Sequence, residues 1–210
     1  MLKKWLSYVT PIPVKKITSK INHKLEITWQ NGQLVLDTKN TNYSYGQLEQ
    51  VFKKAFKFIG YPKIKPMQQV LNLGLGAGST VHLLRNDINF TGSMTSIELD
   101  EAIIYVARKY FNLDRYQANH QIIQMDAFEY VLTCQEQYDL IVIDIFQDSH
   151  MPSFLFEHYF LLIISNNYWP LMVLLFSIRL SSHQKMNSAI KPSRHYLMPL
   201  ISLFVLCQRP

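Results

Sequence analysis

The chain has 210 residues, and its apolar fraction of 48% supplies a core for one domain with a small annex, which excludes wholesale disorder. Its two cysteines, Cys134 and Cys207, stand far apart, and its seven histidines show no metal-ligand spacing, which excludes a disulfide framework and a zinc site. The net charge of +6 is no nucleic-acid footprint, because all 15 acidic residues lie at or before Glu157 and the excess comes from Arg179, Lys185, Lys191, Arg194 and Arg209 behind them.

Met1–Ile21 is basic, and Pro11 and Pro13 break any early helix. Trp5–Val9 is too short and polar for a signal-peptide core. Lys24–Leu36 reads as a β-hairpin: Leu25, Ile27 and Trp29 alternate, Asn31-Gly32 makes the turn, and Leu34 and Leu36 alternate on the return. In Gly46–Ile59, Leu48, Val51, Phe52, Ala55, Phe56 and Ile59 share one helical face, and Tyr61-Pro62 ends the helix.

Val70-Leu71-Asn72-Leu73 then reads as a buried strand, broken by Gly74, Gly76 and Gly78. A helix comes next, with Val81, Leu83 and Leu84. Strand, glycine turn and helix open a nucleotide site in an α/β sheet, because the backbone turns sharply and a helix start offers free N–H groups. Met94–Leu99 is the second strand and Glu101–Phe111 an amphipathic helix. Gln121–Met125 is the third strand, Phe128–Leu132 a short helix, and Tyr138–Asp144 the fourth strand. This alternation predicts a parallel sheet with helices on both faces.

Ligands of such sheets bind at the carboxyl ends of the strands. Glu98 ends the second strand, 24 positions past Gly74, where a carboxylate can accept both ribose hydroxyls of a nucleoside. The other use of Glu98 or Asp100 is to cap the following helix. Asp126-Ala127 ends the third strand, with an acid for an adenine amino group and a small neighbour that lets the base lie flat; here too a helix cap is the other use. Asp144 comes directly after three buried β-branched residues and is expected to be partly desolvated, whether as a reactive group or as a turn aspartate.

The Gly-x-Gly-x-Gly spacing resembles the first motif of the class I S-adenosylmethionine (SAM) methyltransferases and of the spermidine synthases. MTSIELDEAIIYVARKYF resembles the spermidine-synthase stretch in which an acid–apolar–Asp motif ends the second strand, QMDAFEYV its third-strand Asp-Ala motif, and YDLIVIDIF its catalytic strand. The likeness covers about Lys24–Phe160. It implies a nucleoside site at Gly74, Gly76, Gly78, Glu98, Asp126 and Ala127, with SAM or decarboxylated SAM as the ligand and no metal. It makes Asp144 the catalytic carboxylate that accepts a proton from an attacking amine. The partner is then a small-molecule acceptor such as an amine. Relatives often dimerise, and a homodimer stays open.

Two departures bear on the transferred group. The aminopropyltransferases usually carry Asp at the position of Ala77, which suits decarboxylated SAM and repels the carboxylate of SAM; Ala77 removes that repulsion. The second acid and the Pro-x-Gly-Pro run expected after the catalytic strand are replaced by Ile145–Pro152, with Asp148 displaced by one place. The leading expectation is a spermidine-synthase-like, SAM-dependent methyltransferase. Its alternatives are a polyamine aminopropyltransferase using decarboxylated SAM, and an inactive nucleoside-binding or frame-shifted remnant.

The tail departs from the pattern. A class I methyltransferase sheet has seven strands, and the fifth is due at about Trp169–Ile178. The chain has no glycine after Gly92 and no acid after Glu157. Read in the neighbouring frame with permissible codons, the stretch spells an Asn-Gly turn and an apolar strand, so a reading-frame shift near Asn167–Trp169 is the expectation. Val173–Ile178 is apolar enough to serve as a fifth strand regardless. No segment is long and apolar enough to span a membrane; Tyr159–Ile178 comes closest but carries Ser165, Asn166, Asn167 and Pro170. A cytoplasmic protein is expected. The fold expected is α/β: a Rossmann-like SAM-methyltransferase parallel sheet with a small N-terminal β-hairpin region and incomplete C-terminal strands. Residues 1–66 form the hairpin and helix region, 67–166 the SAM-binding core and 167–210 the atypical tail.

Overall fold

The computed structural model describes residues 2–38, 42–44, 47–145, 152–156, 160, 173–179 and 201–207. The run 146–151, with Asp148, and the expected frame-shift point at Asn167–Trp169 lie outside them.

A short helix α1 (Leu2–Leu6) precedes a four-stranded antiparallel sheet, β1 (Ile12–Ser19), β2 (His23–Gln30), β3 (Gln33–Thr38) and β4 (Asn42–Ser44), in sequential order. The predicted hairpin is β2–β3. Gln30 pairs with Gln33, so Asn31-Gly32 is a two-residue turn, and both residues have positive φ, 49° and 77°. That is the chemistry of a tight hairpin whose twist matches its strands. The sequence reading misses β1, because Pro11 and Pro13 look like breakers. Pro13 is accommodated because β1 is an edge strand and its register shifts between Pro13 and Lys15.

Two helices, α2 (Gln47–Ile59) and α3 (Tyr61–Ile64), lead into the main sheet. Four parallel strands form its centre: β8 (Leu140–Ile143), β5 (Gln69–Leu73), β6 (Ser93–Glu98) and β7 (His120–Gln124). Between them run α4 (Ser79–His82), which continues as a π-turn over Leu83–Asp87, then α5 (Glu101–Phe111) and α6 (Ala127–Thr133). This is the Rossmann-like architecture the alternating pattern predicts. In the tail, β9 (Val173–Arg179) lies parallel beside β8, and β10 (Ile201–Cys207) runs antiparallel to β9. The apolar stretch read as the place of a fifth strand is β9. The sheet has six strands among the described residues, one fewer than the seven expected.

β5, β6 and β8 are buried on both faces, as parallel strands with helical crossovers must be, while β7 is half-exposed. Val70, Met94, Leu140 and Val142 pack with Phe52, Phe56, Val81, Ile103 and Val106 on one face, and Leu25, Ile27 and Leu36 of the small sheet join that layer. Leu71, Leu73, Ile97, Ile141 and Ile143 pack with Val131, Tyr138, Leu155 and Phe160 on the other. The carboxyl ends of the central strands lie between these layers, and the motif residues stand there.

Candidate functional site

The glycine turn carries the geometry its composition implies. Gly74, Gly76 and Gly78 have φ of 91°, 54° and 85°. A side chain at Gly74 would collide with the backbone carbonyl of Asp144, and one at Gly78 with the methyl groups of Leu113. Gly74 therefore lets the end of β5 cross close to the end of β8. Two main-chain bonds fix the crossing: Asp144 N–H donates to the Leu73 carbonyl at 2.8 Å, and Gly74 N–H to the Ile97 carbonyl at 2.9 Å. Gly74→Ala is expected to lose at least about 2 kcal/mol of stability, from strain at positive φ and the clash together, read as a lower midpoint in urea unfolding.

Glu98 faces this turn. It is only 7% exposed. Its Oε2 accepts from the Leu75 N–H at 3.0 Å, and its Oε1 from the Asp100 N–H at 2.9 Å. The Gly76 N–H bonds to the same carboxylate. Burial pushes the Glu98 carboxyl above the usual carboxylate range, and the Asp100 charge adds to this, while the three N–H groups oppose it. Of the uses read at the end of β6, the helix cap falls to Asp100. Asp100 is the N-cap of α5, with Oδ1 accepting from the Ala102 N–H at 2.9 Å. Glu98 instead ties the glycine turn to β6.

Asp126 and Ala127 stand just after β7. Asp126 caps α6, its Oδ1 accepting from the N–H groups of Phe128 at 2.8 Å and Glu129 at 3.2 Å. The capping use is thus realised, through one of its two oxygens. Ala127 is buried among Leu71, Leu73 and Val131. The Met125 N–H donates to the Glu98 carbonyl at 3.1 Å and draws this strand end to that of β6. Asp144 is half-buried directly after β8, with Oδ1 withdrawn from solvent. The end of each central strand thus carries a predicted residue, and main-chain bonds draw neighbouring ends together.

The sequence reading misses the residues that brace the site. The Ser19 hydroxyl donates to Oδ2 of Asp100, and Asn22 Nδ2 donates to the same oxygen at 2.8 Å. These donors stand 81 and 78 positions away in sequence, at the end of β1 and in the turn after it, so no local pattern reveals them. Asn72 reads in sequence as one position of a buried strand. Its Nδ2 donates to the Gly74 carbonyl at 2.8 Å and holds the glycine turn from inside the sheet. Ser96 Oγ beside it bonds His120 Nε2 at 2.8 Å. His82, in the helix after the glycines, donates from Nε2 to the Phe111 carbonyl at 2.9 Å, while Nδ1 meets the Tyr116 hydroxyl at 3.0 Å. Burial pushes both histidines down to about 4, so both are neutral at neutral pH. Among the described residues no cluster of three or more His, Cys, Asp or Glu could hold a metal.

The sequence pattern of the spermine/spermidine synthase domain matches residues 30–166. No curated protein sequence matches the chain. A solved spermidine synthase in complex with the transition-state analogue AdoDATO superposes with a TM-score of 0.60 at 19% identity, covering 80% of this chain and 57% of that one. The spermidine synthase from Thermotoga maritima gives 0.61 at 18%, with the same coverage of both chains. The chain thus spans just over half the length of these two enzymes. A protein of Escherichia coli described as the methyltransferase yhhF gives 0.58 at 15%, covering 86% of this chain and 93% of its own. These structural likenesses establish the Rossmann-like fold, and the sequence match, across well over half of the residues, establishes the family. The chain belongs to the spermine/spermidine synthase domain family.

Proposed function

We propose that the chain is a SAM-type transferase that binds a SAM-related nucleoside against the glycine turn and passes a group from it to a small acceptor. The observation that carries this reading is Glu98, a buried carboxylate held by the backbone N–H groups of the turn itself. A carboxylate offers about four acceptor positions, so three N–H bonds leave room for a ribose hydroxyl. The turn keeps the shape such a ligand needs: Gly74, Gly76 and Gly78 all adopt positive φ, and a side chain at Gly74 or Gly78 would strike Asp144 or Leu113. Asp126 keeps Oδ2 for an adenine amino group while Oδ1 caps α6, and Ala127 leaves space for the base. When bound, the ligand supplies a sulfonium-activated carbon. The chain's own part is to fix the nucleoside at Glu98 and Asp126 and to receive the acceptor's proton at the Asp144 carboxylate.

Two readings of the transferred group each have support. Ala77 favours methyl transfer from SAM: the side chain inside the glycine turn is a buried methyl, with no charge to repel the ligand's carboxylate. The family match favours aminopropyl transfer from decarboxylated SAM. Calorimetric titration of the purified chain with both nucleosides separates them, and we expect SAM to bind at least as tightly. Ala77→Asp is expected to shift the ratio of the two dissociation constants by about tenfold toward decarboxylated SAM. Because both ligands are read on one protein, a loss of stability in the variant cancels from the ratio. An unchanged ratio removes Ala77 as the determinant. Binding of neither nucleoside by a folded sample leaves the inactive-remnant reading.

The residues held together at the strand ends come from both the small sheet and the main sheet, since Asp100 is bonded to Ser19 and Asn22. We therefore propose that segments 1–66 and 67–166 act as one unit around the nucleoside, with β9 and β10 of the segment 167–210 extending the main sheet.

A further inference from the structure

The first nine residues present an arrangement the catalytic reading does not use. Leu2, Trp5, Leu6 and Val9 follow the spacing of an apolar helical stripe, a pattern that ordinarily faces a core. Here they are 73%, 72%, 48% and 88% exposed, and Tyr8 beside them is 60% exposed. No residue of α1 is buried. Contiguous exposed apolar surface of this kind marks an interaction site.

The stripe is nonetheless fixed in place. Ser7 is buried, its Oγ accepts from the Gly32 N–H at 3.0 Å and donates to the Lys4 carbonyl at 2.6 Å, and its own carbonyl accepts from the Asn31 N–H at 3.0 Å. The Tyr8 ring lies against Gly32, so close that a side chain there would strike it. The β2–β3 turn thus holds the segment through Ser7 and the Tyr8 ring, while Leu2, Trp5, Leu6 and Val9 stay exposed.

Charge identifies the occupant. Lys3 and Lys4 flank the stripe, and Lys15, Lys16, Lys20 and Lys24 stand on and after β1, with no acidic residue before Glu26. Glu26 is bonded to Lys16 at 3.3 Å and Lys24 at 2.8 Å. Lys3, Lys4, Lys15 and Lys20 are exposed and form no ion pair among the described residues. A second copy of the chain docked here would bring the same lysines together, which repels. An anionic bilayer offers the complement of both features: acyl and interfacial depth for Leu and Trp, and phosphates for Lys.

We propose that this segment is a membrane-surface anchor, in which Leu2, Trp5, Leu6 and Val9 insert shallowly into an anionic bilayer and Lys3 and Lys4 engage its phosphates. α1 has five residues, far short of the length that crosses a bilayer, so the anchor lies on the surface. The proposal is independent of which group the site transfers.

The test is co-sedimentation of the full chain with vesicles of phosphatidylglycerol and phosphatidylcholine, against phosphatidylcholine alone. Binding to the anionic vesicles, released by high salt, is expected. Trp5→Ser is expected to weaken it about tenfold, and Lys3→Glu with Lys4→Glu at least as much. Both changes fall on exposed side chains, and circular dichroism checks that the fold is kept. Failure of the folded wild-type chain to bind anionic vesicles overturns the proposal. So does equal binding to neutral vesicles, or binding indifferent to Trp5→Ser. A self-associating chain that Trp5→Ser makes monomeric, with no lipid binding, assigns the stripe to a second copy instead and also overturns it.

Discussion

Glu98→Gln is expected to weaken binding of the preferred SAM-type nucleoside by about 100-fold, measured calorimetrically. The substitution keeps the size of the side chain, removes its charge and turns one acceptor oxygen into an amide NH2, so the N–H groups on one side of the carboxylate lose their acceptor while those on the other keep it. A hydrogen bond to an ionised acceptor contributes about 1.5–3 kcal/mol, and one ribose hydroxyl takes the position the three N–H groups leave on this carboxylate. Unchanged affinity in a folded variant sinks the nucleoside assignment. Glu98→Ala is a poorer experiment. It strips the acceptor from all of the N–H groups of Leu75, Gly76 and Asp100, and buried donors left unpaired cost about 1–3 kcal/mol each. Lost binding in that variant would mix ligand recognition with collapse of the turn.

The same residue sets a pH dependence. Burial holds Glu98 above its ordinary value of 4.5, so the folded chain binds this proton more tightly than the unfolded chain does. The stability that Glu98 contributes is present in full below 4.5 and is lost as pH rises through its raised folded value. Affinity runs the opposite way, because the ribose hydroxyl donates to the ionised form, and it increases as pH rises through that window. Glu98→Gln is expected to flatten both dependences.

The parts of this molecule that are legible in sequence are those whose physics is local. Asn31-Gly32 announces a hairpin because positive φ at two successive positions demands such residues, and the turn forms there. The run Val70–Leu73 before three glycines announces a buried strand and a ligand turn, and β5 ends at Leu73. The acids at the strand ends are visible because helices follow strands at regular intervals. What they bond to is not visible. Asp100 acts as a cap through a local N–H, which the sequence can suggest, but also anchors Ser19 and Asn22 from across the chain, which it cannot. Asn72 is a polar side chain inside an apolar strand; that break in pattern is the one signal for the bond to Gly74, and a reading for strands alone passes over it. Pro13 shows the converse, where a local rule predicts disruption and an edge position with a register shift absorbs it.

Asp144→Asn is expected to lower kcat by about 10²- to 10⁴-fold while leaving nucleoside affinity within about threefold. An alkylamine has a pKa of about 10 and is mostly protonated at neutral pH. An ammonium has no lone pair with which to attack a sulfonium carbon, so the acceptor must be held as a cation and relieved of its proton. An asparagine matches the shape of Asp144 but neither attracts the cation nor accepts the proton. Asp144 is tied into the fold through its main chain, by its N–H to Leu73 and by its carbonyl packed against Gly74, and both ties survive the change of side chain. A variant that binds nucleoside normally and turns over at the wild-type rate excludes Asp144 as the base. One that binds and does not turn over places the chemistry at the end of β8, beside the turn that Gly74 allows to approach it.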